Sequence, residues 1–328
     1  MTDARTPISF GSIGRALGTR RSIRELPELA GQPQNLQKLQ ESGIDSYLES
    51  DELASTLAIR AGASSLAQSG LAGDAIDAVV YATTTFRDPD LYGIEFRRVQ
   101  HALGLTRAYP VGLFGSECAN NVVAVQVAQG LMTTGFENVL VITTDTAPRN
   151  ARVMFALVSV FSDGAASMLL SRSIPQQYNL RGSYLHTTPE MWDVDPTQHL
   201  MAFLKGSAAG FAATGAGLAK SAGVALTSFK KVFNNNYNLG VQQTIKTTLE
   251  LTDAQVFHEN IPRNGHVYAA DAPINLRDAS ENGLVGEGDL CAVISSGHNT
   301  WGGLALQRTG ARFVPESSER LASNAGAS

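Results

Sequence analysis

Cysteine is scarce in this chain of 328 residues: there are two, Cys118 and Cys291. They stand far apart and fit neither a disulfide framework nor a metal-ligand spacing, which excludes a stapled secreted scaffold and a zinc module and suits a reducing cytosol. Charge is also thin, at 17% of residues with a formal net charge of −5, so nothing favours nucleic acid or an anionic membrane surface. No apolar run reaches the ~18 residues of a membrane span. The segment from Met1 to Pro7 lacks the apolar core of a secretory signal. These absences lead us to expect a cytoplasmic protein without metal or membrane contact.

What is present is apolar: 43% of the residues, enough to bury one large α/β unit or two fused domains. Strand-like runs alternate with helix-like segments. The runs 77–85, 138–145, 161–170, 231–233, 289–294 and 302–306 read as strands, and 51–70 and 205–228 are Ala- and Leu-rich with helical spacing. Alternation of this kind predicts α/β layers. The two halves repeat one pattern: long helix, strand ending in polar residues, second helix, strand, Gly-rich turn, closing strand. That pattern predicts an internal duplication with halves at 1–175 and 176–312. Residues 313–328, rich in Ser, Ala and Glu, read as a disordered tail.

The most informative stretch is 111–130. An apolar run arrives, turns at small residues, and presents Cys118 just before alanines and valines at helical spacing. This reads as strand, sharp turn and buried helix, with the thiol at the helix N-terminus. Free N–H groups and the helix dipole lower a thiol pKa there, and the thiolate is a nucleophile for covalent acyl chemistry. The local pattern also fits a buried structural cysteine. Cys291, between Leu290 and Ala292 in a strand, reads as a core thiol.

Six pieces in order carry a resemblance: 82–85, the turn at Cys118, 139–142, 161–165, 263–270 and 300–306. Over about residues 8 to 310 the chain resembles β-ketoacyl-acyl-carrier-protein synthase III and its relatives. The resemblance implies a thiolase-like α/β fold of five layers, α-β-α-β-α, in two pseudo-duplicated halves. It implies Cys118 as nucleophile, an oxyanion hole from the N–H groups of Cys118 and Gly297, and a homodimer across the strand before the cysteine helix. It implies acyl-coenzyme A or acyl-phosphopantetheine on a carrier protein as substrate, with no tightly bound cofactor.

The departures bear on function. Where the family carries its catalytic His, this chain has Asn235, within a run that allows a slip to Asn234 or Asn236. Where the family carries its catalytic Asn, this chain has His266. Two donors facing a thioester enolate would serve decarboxylating condensation. An imidazole moved to position 266 can instead deprotonate a small-molecule hydroxyl or amine acceptor, as in acyltransferase relatives of antibiotic and secondary metabolism. The expected function is therefore acyl transfer, with His266 as base and Asn235 orienting the acceptor. The alternatives are a decarboxylating condensing enzyme and a non-catalytic partner subunit of a heterodimer. The family's coenzyme A clamp is also altered: Glu41 and Asp45 stand where arginine is expected. Arg149 and Arg152 are the nearest replacement grips. Among other residues, Glu117 reads as a turn carboxylate, and Asp163 as part of a structural turn. His258 and His298 are secondary candidates for base, while His101, His186 and His199 have no motif. The loops 86–95 and 187–205 are expected to shape the pocket, with Trp192 as a wall.

Overall fold

The structure, a computed structural model, describes residues 7–85 and 89–311, the side chains of 89–92 excepted. The expected tail from 313 and part of the 86–95 loop lie outside the described residues. The chain runs β1 (Ser9–Leu17), β2 (Thr19–Ser22), α1 (Pro33–Glu41), β3 (Ser46–Glu49), α2 (Ala54–Ser69), β4 (Ala78–Ala82), α3 (Pro89–Ala102), β5 (Tyr109–Leu113), α4 (Asn120–Thr133), β6 (Asn138–Asp145) and β7 (Gly164–Ser171). It continues β8 (Tyr178–Thr187), α5 (Leu200–Ala222), β9 (Lys231–Phe233), α6 (Leu239–Thr248), β10 (Val256–Phe257), α7 (Ile261–Asn264), α8 (Asp271–Glu281), β11 (Leu290–Ser296) and β12 (Thr300–Arg308).

Ten strands share one sheet in the order β10-β9-β11-β12-β8-β1-β7-β6-β4-β5, and β2 pairs with β3 apart from it. Outward from the β1–β8 contact, each half repeats one order: its first strand, then its fifth, fourth, second and third. In both halves the second strand runs parallel to the third and fourth, while the fourth–fifth and fifth–first pairs are antiparallel. The two sets meet only through Ser9–Asn179 and Phe10–Tyr178.

Side-chain alternation explains the layering. On β4 and β6, Ala78, Val80, Val139 and Val141 point into a central core, while Val79, Tyr81, Leu140 and Ile142 point into an outer one. On β11, Cys291 and Val293 face the centre, and Ala292 and Ile294 the opposite outer core. Strands covered on both faces read as nearly continuous apolar runs. Each buried Val or Ile contributes about 2 kcal/mol. The helices α4 and α8 pack against strands of both halves, α2 lies on β1, β6 and β7, and α5 on β8 and β12. The order is thus α-β-α-β-α around the central α4 and α8.

The helix expected over 205–228 instead covers Leu200–Ala222 and stops at Gly223, whose φ of 71° closes it. The strands β1 and β8 that join the halves escape the periodicity reading. Glycines interrupt both, and at Gly14 the backbone of α2 comes so close that an added Cβ would lie 2.0 Å from the Ala61 carbonyl oxygen. Among the described residues, no helix is long and apolar enough to cross a membrane.

Candidate active site

Cys118 lies where β5 hands over to α4, in a short turn of 3-10 helix at Glu117–Ala119. Glu117 has a left-handed φ of 48°, an uncommon conformation for a residue with a Cβ and a device for projecting the next side chain. Asn120, the first residue of α4, holds the turn shut. Its amide donates to the carbonyls of Thr83 (3.4 Å) and Phe114 (3.3 Å) and accepts the Ser116 N–H (3.1 Å). The Cys118 side chain packs with Ala147, Phe161 and Tyr268 and is 8% exposed.

His266 comes from the other half. Its backbone N–H donates to Val160 and its carbonyl accepts from Ser162. This pairing needs Gly265, whose φ is 56° and where a Cβ would fall 2.7 Å from the Val160 oxygen. The imidazole is fully buried. Its Nε2 lies 3.2 Å from Cys118 Sγ, and its Nδ1 meets the carboxylate of Asp271. Asp271 opens α8 and also accepts the N–H groups of Val267 (2.7 Å) and Asn236 (2.7 Å) and the Asn236 amide (3.1 Å). Because Asp271 only accepts, Nδ1 carries the proton and the Nε2 lone pair faces the thiol. Cys118, His266 and Asp271 therefore form a nucleophile, a base and an orienting carboxylate.

Three consecutive asparagines serve three neighbours. Asn234 turns toward Gln242. Asn236 clamps Asp271 and accepts from Asn275 (2.9 Å). Asn235 is the one that reaches the nucleophile, but through the backbone. Its amide donates to the carbonyls of Cys118 (3.5 Å) and Tyr268 (3.3 Å) and accepts the Ser296 N–H (2.9 Å). The expectation that Asn235 orients the acceptor is thus replaced by a role in holding the Cys118, Tyr268 and Ser296 segments together.

Other expectations change as well. The Gly297 N–H donates to the Thr300 carbonyl (2.7 Å), closing the β11–β12 turn, so it does not face an oxyanion. Arg152 is 2% exposed and locked to Asp163 (3.1 and 2.8 Å), with its guanidinium over the Tyr47 ring, so it cannot grip a phosphate. Arg149 is exposed and pairs with the equally exposed Asp51. Trp192 is 78% exposed, its side chain turned largely to solvent. The thiol pKa is not lowered. Burial raises it well above the ordinary range, the carboxylates of Glu117, Asp145 and Asp271 add to this, and the backbone N–H of Cys118 itself opposes it. Desolvation outweighs the helix end. The resting nucleophile is a thiol that needs His266 to take its proton. Of the secondary candidates, His258 is exposed, and His298 Nε2 is engaged by the Met191 carbonyl (2.8 Å). Cys291 is buried in β11, its pKa pushed up to about 12 by desolvation.

Asp145, at the end of β6, accepts the N–H groups of Thr84 (2.6 Å) and Thr85 (2.8 Å) and the hydroxyls of Thr83 and Thr85 (3.0 Å each). Burial nonetheless pushes its pKa up to about 6. A carboxyl that binds its proton more tightly when folded favours the fold at low pH, and this contribution is lost as pH rises from the unfolded value through about 6. The linked change is about 3 kcal/mol. Asp145→Asn keeps an oxygen for the threonine donors. Relative to the parent, we expect it to gain stability between about pH 4 and pH 8. Urea unfolding at both values checks this, and a pH-independent difference would rule it out.

Comparison with known proteins identifies the family and the fold. The family model of 3-oxoacyl-[acyl-carrier-protein (ACP)] synthase III matches residues 114–189, and that of its C-terminal region matches 218–308, together about half the chain. The chain belongs to this synthase III family. A β-ketoacyl-[acyl-carrier-protein] synthase III of Roseiflexus castenholzii is 28% identical over 280 residues, covering 78% of this chain and 84% of that protein. Among solved structures, the acyltransferase ChlB3 superposes with a TM-score of 0.82 at 18% identity, covering 92% of this chain and 98% of that one. The synthase III FabH of Pseudomonas aeruginosa gives 0.79 at 20% identity, covering 94% and 100%. The fold is therefore the thiolase type, and the chain is an enzyme of the transferase kind found in this family.

Sequence reasoning missed Asp271. Its one signal is an acid five residues after His266 in a run of alanines just ahead of Pro273, where a helix begins. It also missed Tyr237, whose ring centroid lies 5.1 Å from that of His266.

Proposed function

We propose that the protein transfers an acyl group from an acyl-coenzyme A or acyl-carrier-protein thioester to a hydroxyl or amine acceptor through an acyl-Cys118 intermediate. In the first half-reaction the thiol proton moves to His266 Nε2 as Sγ adds to the thioester carbonyl. The donor thiolate leaves and takes the proton. In the second, His266 takes a proton from the acceptor, the acceptor adds to the acyl carbonyl, the C–S bond breaks, and the proton returns to Cys118. One observation carries this reading: His266 stands between Sγ and the Asp271 carboxylate, so the nitrogen facing the reaction centre is a base. Asn235, spent on backbone groups, does not supply a second donor for an extender enolate, which favours transfer over condensation.

The printed name of ChlB3, an acyltransferase, supports the same reading. The exposed rings of Tyr109 and Phe114, in and just after the edge strand β5, support a second copy docking there as a homodimer. Arg149 is the remaining candidate for the donor phosphates.

The rival is decarboxylating condensation, as the printed name of the Roseiflexus relative suggests. A malonyl thioester labelled at its free carboxyl, offered to acyl-loaded enzyme, separates the two. Transfer predicts no labelled carbon dioxide above the buffer control, whereas release in step with product formation would establish condensation.

A further inference from the structure

Glu117 is the residue the chemistry above leaves unused. Its carboxylate Oε2 accepts the His298 N–H (2.9 Å), which anchors it across the elbow from the β11–β12 turn. The two segments are in close contact, since a Cβ on Gly297 would sit 3.2 Å from Glu117 Cβ. The side chain is exposed, and no Lys or Arg among the described residues pairs with it. It is near enough to weigh electrostatically on both Cys118 and the Tyr237 phenol. Tyr237 is itself fixed, its hydroxyl donating to the Ser296 carbonyl (3.1 Å). Glu117 thus directly precedes the nucleophile in an anchored turn, and the Tyr237 ring lies against that of its base, His266.

A carboxylate here is a burden for the first half-reaction, because it opposes negative charge on sulfur. It would help the second half-reaction if the incoming group is a cation. We propose that Glu117 draws an ammonium group to the acyl-cysteine, so that the acceptor is an amine and the product an amide. This rests on the acyl-transfer reading above and narrows it. The ammonium gives one proton to His266 Nε2 and its freed lone pair adds to the acyl carbonyl. As the C–S bond breaks, the sulfur takes the proton back from the imidazolium. The second nitrogen proton goes to solvent, leaving amide and free thiol. Carboxylate and aromatic faces are the two side-chain environments that favour ammonium.

Glu117→Gln is the test, since glutamine keeps an oxygen for the His298 N–H and removes only the charge. Cys118 is loaded with butyryl or β-alanyl thioester, and adduct loss is followed by intact mass with n-butylamine or n-butanol as acceptor. The parent should deacylate faster with the amine. The variant should load butyryl at least as fast as the parent, with the KM for butylamine raised about tenfold and the KM for butanol unchanged. An unchanged KM for the amine overturns the proposal. So does slower β-alanyl loading as the sole effect, which would place the cation on the donor. Absence of any adduct on the parent overturns the acyl-transfer reading itself and the proposal with it.

Discussion

Asp271→Asn is expected to lower the acyl-transfer rate by about a thousandfold or more, as when a triad carboxylate becomes an amide. The reason lies in the donors around it. One carboxylate oxygen receives His266 Nδ1 and the Asn236 N–H, and the other receives the Val267 N–H and the Asn236 amide. An amide NH2 in either place meets a donor. If it turns toward His266, the imidazole must accept at Nδ1 and carry its proton on Nε2. Nε2 then presents a proton to a thiol that also carries one, and no base remains. His266→Ala should lose a similar factor, and the double variant little more, because the two residues act as one unit. Single-turnover loading of Cys118 measures all three. A full-rate Asp271→Asn would show that His266 is not the base.

How far the site could be read ahead of the structure depended on how local each role is. Cys118 was legible because a strand, a tight turn and a small-residue helix are consecutive in sequence. His266 was legible because, through the resemblance over 263–270, it stands where the family carries its catalytic Asn. Arg152 was misread because its burial depends on Asp163, a partner reached only when the turns before β7 fold together. Gly297 was misread for a related reason. A glycine after a strand can offer its N–H to a ligand or to its own hairpin, and only the β11–β12 pairing shows that it takes the second course. The rise in the thiol pKa was hidden as well, since it comes first from burial by segments distant in sequence and then from the carboxylates of Glu117, Asp145 and Asp271. The fold was clearer than the site. Buried strands such as β4 and β6 advertise themselves as apolar runs, whereas β1 and β8, broken by glycine, do not.

The largest effect of all belongs to the nucleophile. A second free cysteine is present, but Cys291 lies fully buried near the start of β11, packed in the central core. Cys118→Ala should therefore abolish covalent loading entirely while leaving the fold intact, because alanine is accommodated among Ala147, Phe161 and Tyr268. Intact-protein mass after mixing with a panel of acyl-coenzyme A and acyl-carrier-protein thioesters tests the central claim most directly. The account predicts a single acyl adduct on the parent protein, carrying the preferred donor's mass, and none on Cys118→Ala. An adduct that survives in Cys118→Ala, or a parent that accepts no acyl group from any donor, would contradict it.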